Sequence, residues 1–549
     1  MASIATSESL HNLLAHVLPK QVPFTFYHCS TPPTRSPALF SAPPHSKPER
    51  TYCESHSLAV SIVPKDSIAS GTPDELLILA IEVLVYTTKN LTTIFVSKAD
   101  STGYIATLNL PRSQAGSPLK AICGTFVSWL ARERRREGTK LVVSLFARAQ
   151  DQYLFPASIE NPDKHVLDDR GLVKWWCRVL DPILREYAAE VENMSLTERL
   201  ANGAQRGVTS SSSETTAKGY LVIPGFEQND TLRYIPSSPS TTSPRRWVST
   251  HPLLQIAPQP GAPPRCLVPH FPDDPKSRFL DELDEELPNQ GTDTMSQQGG
   301  TPSRGNGQWK SVRTLDQFWD MMAYRQECSS GRIVGFIWVV ITPPDLSVPD
   351  VDDNDASQHM SQSFSQESMT RSQSPLKKPP KPKKTRRRKV NTKFGPIPLI
   401  LPRIQTSTSN LSTASSTSNG VSKLPPETTA YFKWPTASRG TILLSTRDYH
   451  RAHEVLLQQN FSKQGAAARS TKRWKDEVAI LAGVEAWSWT IVGQKECSQL
   501  AGTVPNENTP VTLVSVRRKR KPEEGVDAEA PGHGVKTLGV GLVRKKPKA

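Results

Sequence analysis

Residues 76–98 read LLILAIEVLVYTTKNLTTIFVSK, two nearly continuous apolar runs rich in β-branched side chains. A strand with one wet face alternates apolar and polar positions, whereas a strand covered on both faces does not. LLILAIEVLVYTT (76–88) and LTTIFVSK (91–98) therefore read as buried central strands. The longest apolar stretch, 76–86, contains Glu82 and is too short to span a bilayer.

Working outward, FTFYHC (24–29), SLAVSIV (57–63), KLVVSLFA (140–147), GYLVIPG (219–225) and GRIVGFIWVVIT (331–342) read as further strands. SESLHNLLAHVL (7–18) has helical apolar spacing. SPLKAICGTFVSWLARERRREG (117–138) has Ser117 as a cap, Pro118 in the first turn and Gly138 as a stop. Helices are also expected over 168–187 and 312–327. This alternation predicts an α/β fold, a mixed central sheet flanked by helices. Residues 1–342 form the first part of the core, with a mobile loop at about 188–216 where periodicity fades. Residues 343–425 read as a disordered basic insertion, 426–500 as the C-terminal part of the core, and 501–549 as a disordered basic tail.

The chain has 549 residues, 47 of them proline, and a net charge of +15. KKPPKPKKTRRRK (377–389), RRKRK (517–521) and RKKPK (544–548) carry nine, five and four Lys/Arg and no acid, more than the whole net charge. The basicity thus sits on tails, which suits nuclear residence or nucleic-acid contact better than a basic enzyme face. Whether the chain touches DNA directly stays open. The seven cysteines (Cys29, Cys53, Cys123, Cys177, Cys266, Cys328, Cys497) form no C-x-x-C pair, against a structural zinc site or a disulfide framework. No metal is expected. No basic stretch precedes an apolar run at the N-terminus, so a secretory signal is not expected. Glycine-rich phosphate loops, a G-x-S-x-G elbow and H-E-x-x-H are all missing, which argues against an NTPase, a dinucleotide oxidoreductase, an α/β hydrolase and a zincin.

Four long stretches remain: TIFVSKADSTGY (93–104), LFARAQDQYLFPASIENPDKHVLDDRGLVKWW (145–176), CLVPHFPDDPKSRFLDELDEE (266–286) and WKSVRTLDQFWDMMAYRQECSSGRIVGFIWV (309–339). Together they resemble the fungal chaperone-dependent histone H3 lysine acetyltransferase family, which is related in structure to the CBP-type acetyltransferases. The resemblance covers roughly residues 1–342 and 431–495. It implies a CBP-like acetyltransferase domain, acetyl-CoA as cofactor, and action in the nucleus during chromatin assembly and the DNA damage response. Histone H3 (with H4) is the implied substrate, chiefly the globular-core lysine at position fifty-six. The anti-silencing histone chaperone is the implied partner, with a NAP-type chaperone as the second candidate.

Carried over by motif, Asp274 of FPDDPK matches the catalytic carboxylate, Asp273 its neighbour and Lys276 an autoacetylated lysine, with Arg278 as a partner of that side chain or of the cofactor. Asp100 matches a buried aspartate near the lysine site, Ala99 to Ser101 line acetyl-CoA, and Phe95 packs beneath. Ala217 and Tyr220 match cofactor and substrate-tunnel positions, Trp247 the tunnel tryptophan and Arg246 a cofactor contact. Alone, Asp273 and Asp274 before Pro275 read as no more than a helix cap. His270 reads as structural.

The chemistry agrees with the resemblance. A lysine amine with a pKa near ~10.4 costs on the order of 4–5 kcal/mol to neutralise at pH 7. An apolar tunnel lowers that cost, and a carboxylate at its mouth can orient the amine or take its proton. Acetyl transfer by direct attack is expected, since no cysteine sits in a nucleophile context. The alternative is a non-enzymatic chromatin or DNA-binding regulator using the basic runs.

Overall fold

In the computed structural model, the two opening runs pair as an antiparallel hairpin of β4 (Leu76–Thr87) and β5 (Leu91–Ser101). Thr88 closes the turn: its amide donates to the Leu91 carbonyl at 2.9 Å, and its Oγ1 accepts from the amides of Asn90 and Leu91. The described residues are 8–65, 67, 74–110, 118–201, 215–237, 245–287, 307–325, 328, 331–344 and 424–496. Ser117, 202–214, nearly all of the expected insertion and the basic tail lie outside them.

The other strands are β1 (Pro23–Ser30), β2 (Thr34–Ser36), β3 (Thr51–Ile62), β6 (Lys140–Ala147), β7 (Thr216–Val222), β8 (Trp247–Val248), β9 (Gly335–Thr342), β10 (Ile442–Leu443) and β11 (Ser488–Val492). They form one mixed sheet in the order β10-β1-β3-β4-β5-β6-β9-β7-β8, with β11 on β1 and β2 on β3. The helices of two turns or more are α1 (Leu10–Val17), α2 (Pro118–Arg134), α3 (Asp169–Ala201), α4 (Pro275–Asp284), α5 (Leu315–Ala323), α6 (Thr446–Leu457) and α7 (Gln464–Ala482). The parallel pair β5·β6 requires a crossover, and α2 supplies it. β10 and β11 bring the segment after the insertion back onto β1, so both ends of the described chain build one sheet.

Residues 188–201 correct the sequence reading. Instead of a loop beginning at 188, α3 continues to Ala201. AAEVENMSLTERLA lacks Gly and Pro and is made largely of good helix formers, so propensity carries the helix past the point where apolar periodicity fades.

Both faces of the sheet are covered, and β9 shows how. Ile337, Val339 and Ile341 join the core beneath α1, α2, α3, α6 and α7, whereas Phe336, Trp338 and Val340 join a second core with α4 and α5. Successive strand residues point to opposite faces, so a near-continuous apolar run serves two layers. Among the described residues, no helix is long and apolar enough to cross a membrane.

Candidate active site

The segment that caps α4 is anchored to the sheet by aromatic stacking. Phe271 lies on Phe95 of β5 with ring centroids 4.2 Å apart and planes 3° from parallel. Such a pair contributes about 0.5–1.5 kcal/mol beyond the area it buries. Three residues on, Asp274 is the N-cap of α4 and Pro275 its first helical residue. Asp274 Oδ1 accepts from the Lys276 amide at 2.9 Å, so half of the segment's behaviour is ordinary capping.

The other half is not. Asp274 Oδ2 accepts from Lys276 Nζ at 2.5 Å, and both side chains are 1% exposed. The ammonium also sits 4.2 Å from the Phe336 ring centroid and 5.8 Å from that of Trp338. Burial is the largest influence on the Lys276 amine and pulls its pKa below the usual lysine value, with Asp274 opposing. Tyr220 of β7, the register partner of Trp338, faces the same core and donates its hydroxyl to Gln255 Oε1 at 3.0 Å. A lysine paired with an aspartate therefore stands in an aromatic pocket.

Asp273 is arranged differently. Its side chain is 58% exposed and its Oδ2 lies 3.1 Å from Lys98 Nζ on β5. Lys98 lies 3.5 Å from Glu82 Oε2 on β4. Burial lowers the Lys98 pKa, but Glu82 and Asp273 together outweigh it and hold the group above its ordinary value. Of the two neighbouring carboxylates, Asp273 is open to solvent and Asp274 is engaged by the protein's own lysine.

Asp100 is a hub. Its Oδ2 accepts from the amides of Tyr153, Leu154 and Phe155 at 2.7, 2.9 and 3.2 Å, and its Oδ1 from the Ser101 amide at 2.8 Å and Lys164 Nζ at 3.0 Å. A carboxylate whose two oxygens accept from five donors has no lone pair left for a substrate, and its geometry gives it a positioning task. Gly103, at φ 91°, lets the chain turn under Lys164: a Cβ there would stand 2.6 Å from the Lys164 Cα. Ala99 and Ser101 flank Asp100, both half-buried. Residues 149–152, just before the pinned residues, together with Ile159, residues 166–169 and Arg332, border a cavity of about 720 Å³. Arg148, just before its first lining residue, keeps a buried Nε with no hydrogen-bond partner. Burial is the largest influence on the Tyr153 phenol and raises its pKa, and both Asp273 and Asp100 add to that rise.

Trp247, Ala217 and Arg246 lie on the α3 side of the sheet. Trp247 joins the core on the α3 face, donates its indole N–H to Asp181 Oδ1 at 3.0 Å, and covers Gly219, where a Cβ would come 2.5 Å from the indole. Trp247 registers with Gly219, and Val248 with Tyr220, so strand alternation sends Trp247 and Tyr220 to opposite faces. Trp247 shares its core with Leu154 and Phe155, residues pinned by Asp100, and with Ala99 packed against it, whereas Tyr220 faces the core of α4. Ala217 shares the Gly219 face, and Arg246 lies 3.7 Å from Asp181. Arg278 is exposed on α4. His270 pairs with Asp281 at 2.9 Å, a structural contact.

Sequence reasoning did not single out Lys98, Glu82, Lys164, Phe336 or Trp338. The alternation of FIWV carried the signal for the two aromatics, since it puts Phe336 and Trp338 on one face. No such signal marked Lys98. Among the described residues, burial raises the Cys29, Cys53 and Cys123 thiols to about 12, which leaves these three essentially no thiolate at pH 7.

Comparison with known proteins gives this geometry a context. A family model described as "Histone acetyltransferase KAT11-type domain" matches residues 10–140 and 136–477. "Histone acetyltransferase rtt109" of Aspergillus flavus is 39% identical over 599 aligned positions, covering 98% of this chain and 99% of the relative. The Schizosaccharomyces pombe protein of the same name is 33% identical over 259 positions, 47% of this chain and 55% of the relative. The crystal structure of Rtt109 from Aspergillus fumigatus superposes with a TM-score of 0.64 at 39% identity, covering 89% of this chain and all of that one. The chain belongs to the fungal histone acetyltransferase family that carries the KAT11-type domain.

Proposed function

We propose that this histone lysine acetyltransferase acetylates histone H3 presented with H4, chiefly the globular-core lysine at position fifty-six, at the site built by residues 273–276. Nuclear action in chromatin assembly and the DNA damage response, with an anti-silencing chaperone and a NAP-type chaperone as the candidate partners, completes the proposal. The observation that carries the site is the buried Asp274–Lys276 pair over Phe336 and Trp338. Family membership sets aside the non-enzymatic alternative.

The residues present fit acetyl-CoA. The cavity beside the Asp100-pinned loop has room for a flexible chain and carries the Arg332 guanidinium on its wall, and Arg148, just before its first lining residue, keeps an unpartnered buried Nε. Ala99 and Ser101 would line the molecule, with Asp100 fixing the loop beside them, and it supplies the acetyl group when bound. Everything else falls to the protein. Burial makes Lys276 easier to deprotonate than a free lysine, so its amine can attack the acetyl carbonyl, form the amide bond and release the thiol of coenzyme A. Acetylated Lys276 carries no charge, which frees Asp274 Oδ2 from its partner. Asp274 can then orient a substrate amine or take its proton, while Phe336, Trp338 and Tyr220 keep water away. Lys276 acetylation is thus an activation of the site and no step of turnover.

The test is mass spectrometry of H3–H4 after incubation with the full chain, acetyl-CoA and each chaperone. Acetylation at the globular-core lysine that depends on a chaperone supports the reading. Acetylation spread over tail lysines alone would move the substrate assignment.

A further inference from the structure

Asp273 has no task in the reading above, yet its backbone is held at φ 58°, the left-handed region that a residue with a Cβ resists. The cap turn therefore needs support from outside itself. The support within reach is a chain of contacts. Lys98 Nζ lies 3.1 Å from Asp273 Oδ2 and 3.5 Å from Glu82 Oε2. Glu82 is buried, accepts from the Tyr449 hydroxyl at 3.2 Å and lies 3.4 Å from His453 Nε2. Tyr449 and His453 are on α6, far along the chain and beyond the expected insertion. Glu82 and Lys98 are register partners, and the β4·β5 pairing slips immediately after them. A slip of this kind re-aims the side chain beside it.

We propose that Lys98 is a positioning residue for acetyl transfer: seated by Glu82, its ammonium fixes the Asp273 turn and through it the Asp274–Lys276 pair. The inference rests on the site assignment above. It also gives α6 a part in the active site, because Tyr449 holds the carboxylate that holds Lys98. An ion pair as exposed as Lys98–Asp273 adds little to the stability of the fold. Its value lies in geometry, where a displacement of about 1 Å can cost roughly 100-fold in rate.

Steady-state kinetics of the full chain on chaperone-bound histone tests this, with Lys98→Met, Lys98→Arg, Tyr449→Phe, Asp273→Asn and Asp274→Asn. Lys98→Met is expected to lower kcat about 10- to 100-fold, with an unchanged KM for acetyl-CoA and a circular dichroism spectrum that matches the parent's. Lys98→Arg should recover most of the rate, and Tyr449→Phe, which removes one hydroxyl, should lower kcat mildly in the same direction. Asparagine tolerates the left-handed region, so Asp273→Asn removes the ion pair and keeps the turn. The Lys98→Met/Asp273→Asn double variant should be no slower than the slower single variant. A normal Lys98→Met beside an impaired Asp274→Asn would overturn the inference, as would an arginine variant no better than methionine, or multiplying effects in the double variant. A normal Asp274→Asn would remove the site and the inference together.

Discussion

Replacing Lys276 by methionine removes a cation from a pair in which both side chains are 1% exposed. Asp274 would keep its capping bond to the residue 276 amide, but its second oxygen would face Phe336 and Trp338 with no donor. Breaking a buried pair at one end costs about 3–5 kcal/mol, because the remaining charge is stranded. Removing both charges is often neutral. Asn caps about as well as Asp, so the double variant Asp274→Asn/Lys276→Met keeps the helix start and should recover most of the loss. The assay is urea unfolding of the parent, each single variant and the double, followed by circular dichroism. An Lys276→Met loss below about 1 kcal/mol, or a double variant no more stable than Lys276→Met, would refute the claim that the pair is dry and mutually dependent.

The lowered Lys276 pKa has a pH consequence. The folded state gives up this proton more easily than the unfolded chain, so stability should rise with pH from the folded pKa up to the unfolded value near ~10.4 and fall away below it. The Asp274→Asn/Lys276→Met variant should lose that slope in pH-resolved unfolding, and an unchanged slope would point to another group. Asp100→Asn replaces an acceptor of five donors by one that clashes with some of them, at about 1–3 kcal/mol. It should raise the acetyl-CoA KM more than it lowers kcat, and unchanged melting with unchanged KM would contradict the hub. Lys276→Arg retains the cation but blocks acetylation, so its rate should stay low where Lys276→Gln, uncharged like the acetylated form, keeps more activity. The two are compared by initial rates.

The central hairpin was legible because 76–88 and 91–98 have no polar alternation, and that pattern has few physical readings. β9 was legible for the same reason. The end of α3 was missed because periodicity and propensity part company after Tyr187: side-chain patterning reports packing, while Ala, Glu and Leu sustain a helix without it. β10 and β11 were not anticipated. They are two and five residues long and gain their place from pairing with β1, which lies more than four hundred positions away in sequence. At the site, FPDDPK showed two aspartates and a lysine around a proline, yet the sequence could not say which carboxylate is buried. The face that Trp247 takes was not legible, because one residue of register decides the side in a strand, and β8 has only two. In sequence, Lys98 reads only as the last residue of a buried strand. Only its partners on β4 and α4 give it a different meaning.

The most direct test of the account is the initial rate of acetyl transfer to chaperone-bound H3–H4 by Asp274→Asn, with circular dichroism matched to the parent. Asparagine keeps the α4 cap and removes only the charge. The account predicts a folded protein slowed by about 10²-fold or more, as loss of a base entails. A folded variant within about threefold of the parent, well short of that loss, would reduce FPDDPK to a helix cap and move the active site elsewhere.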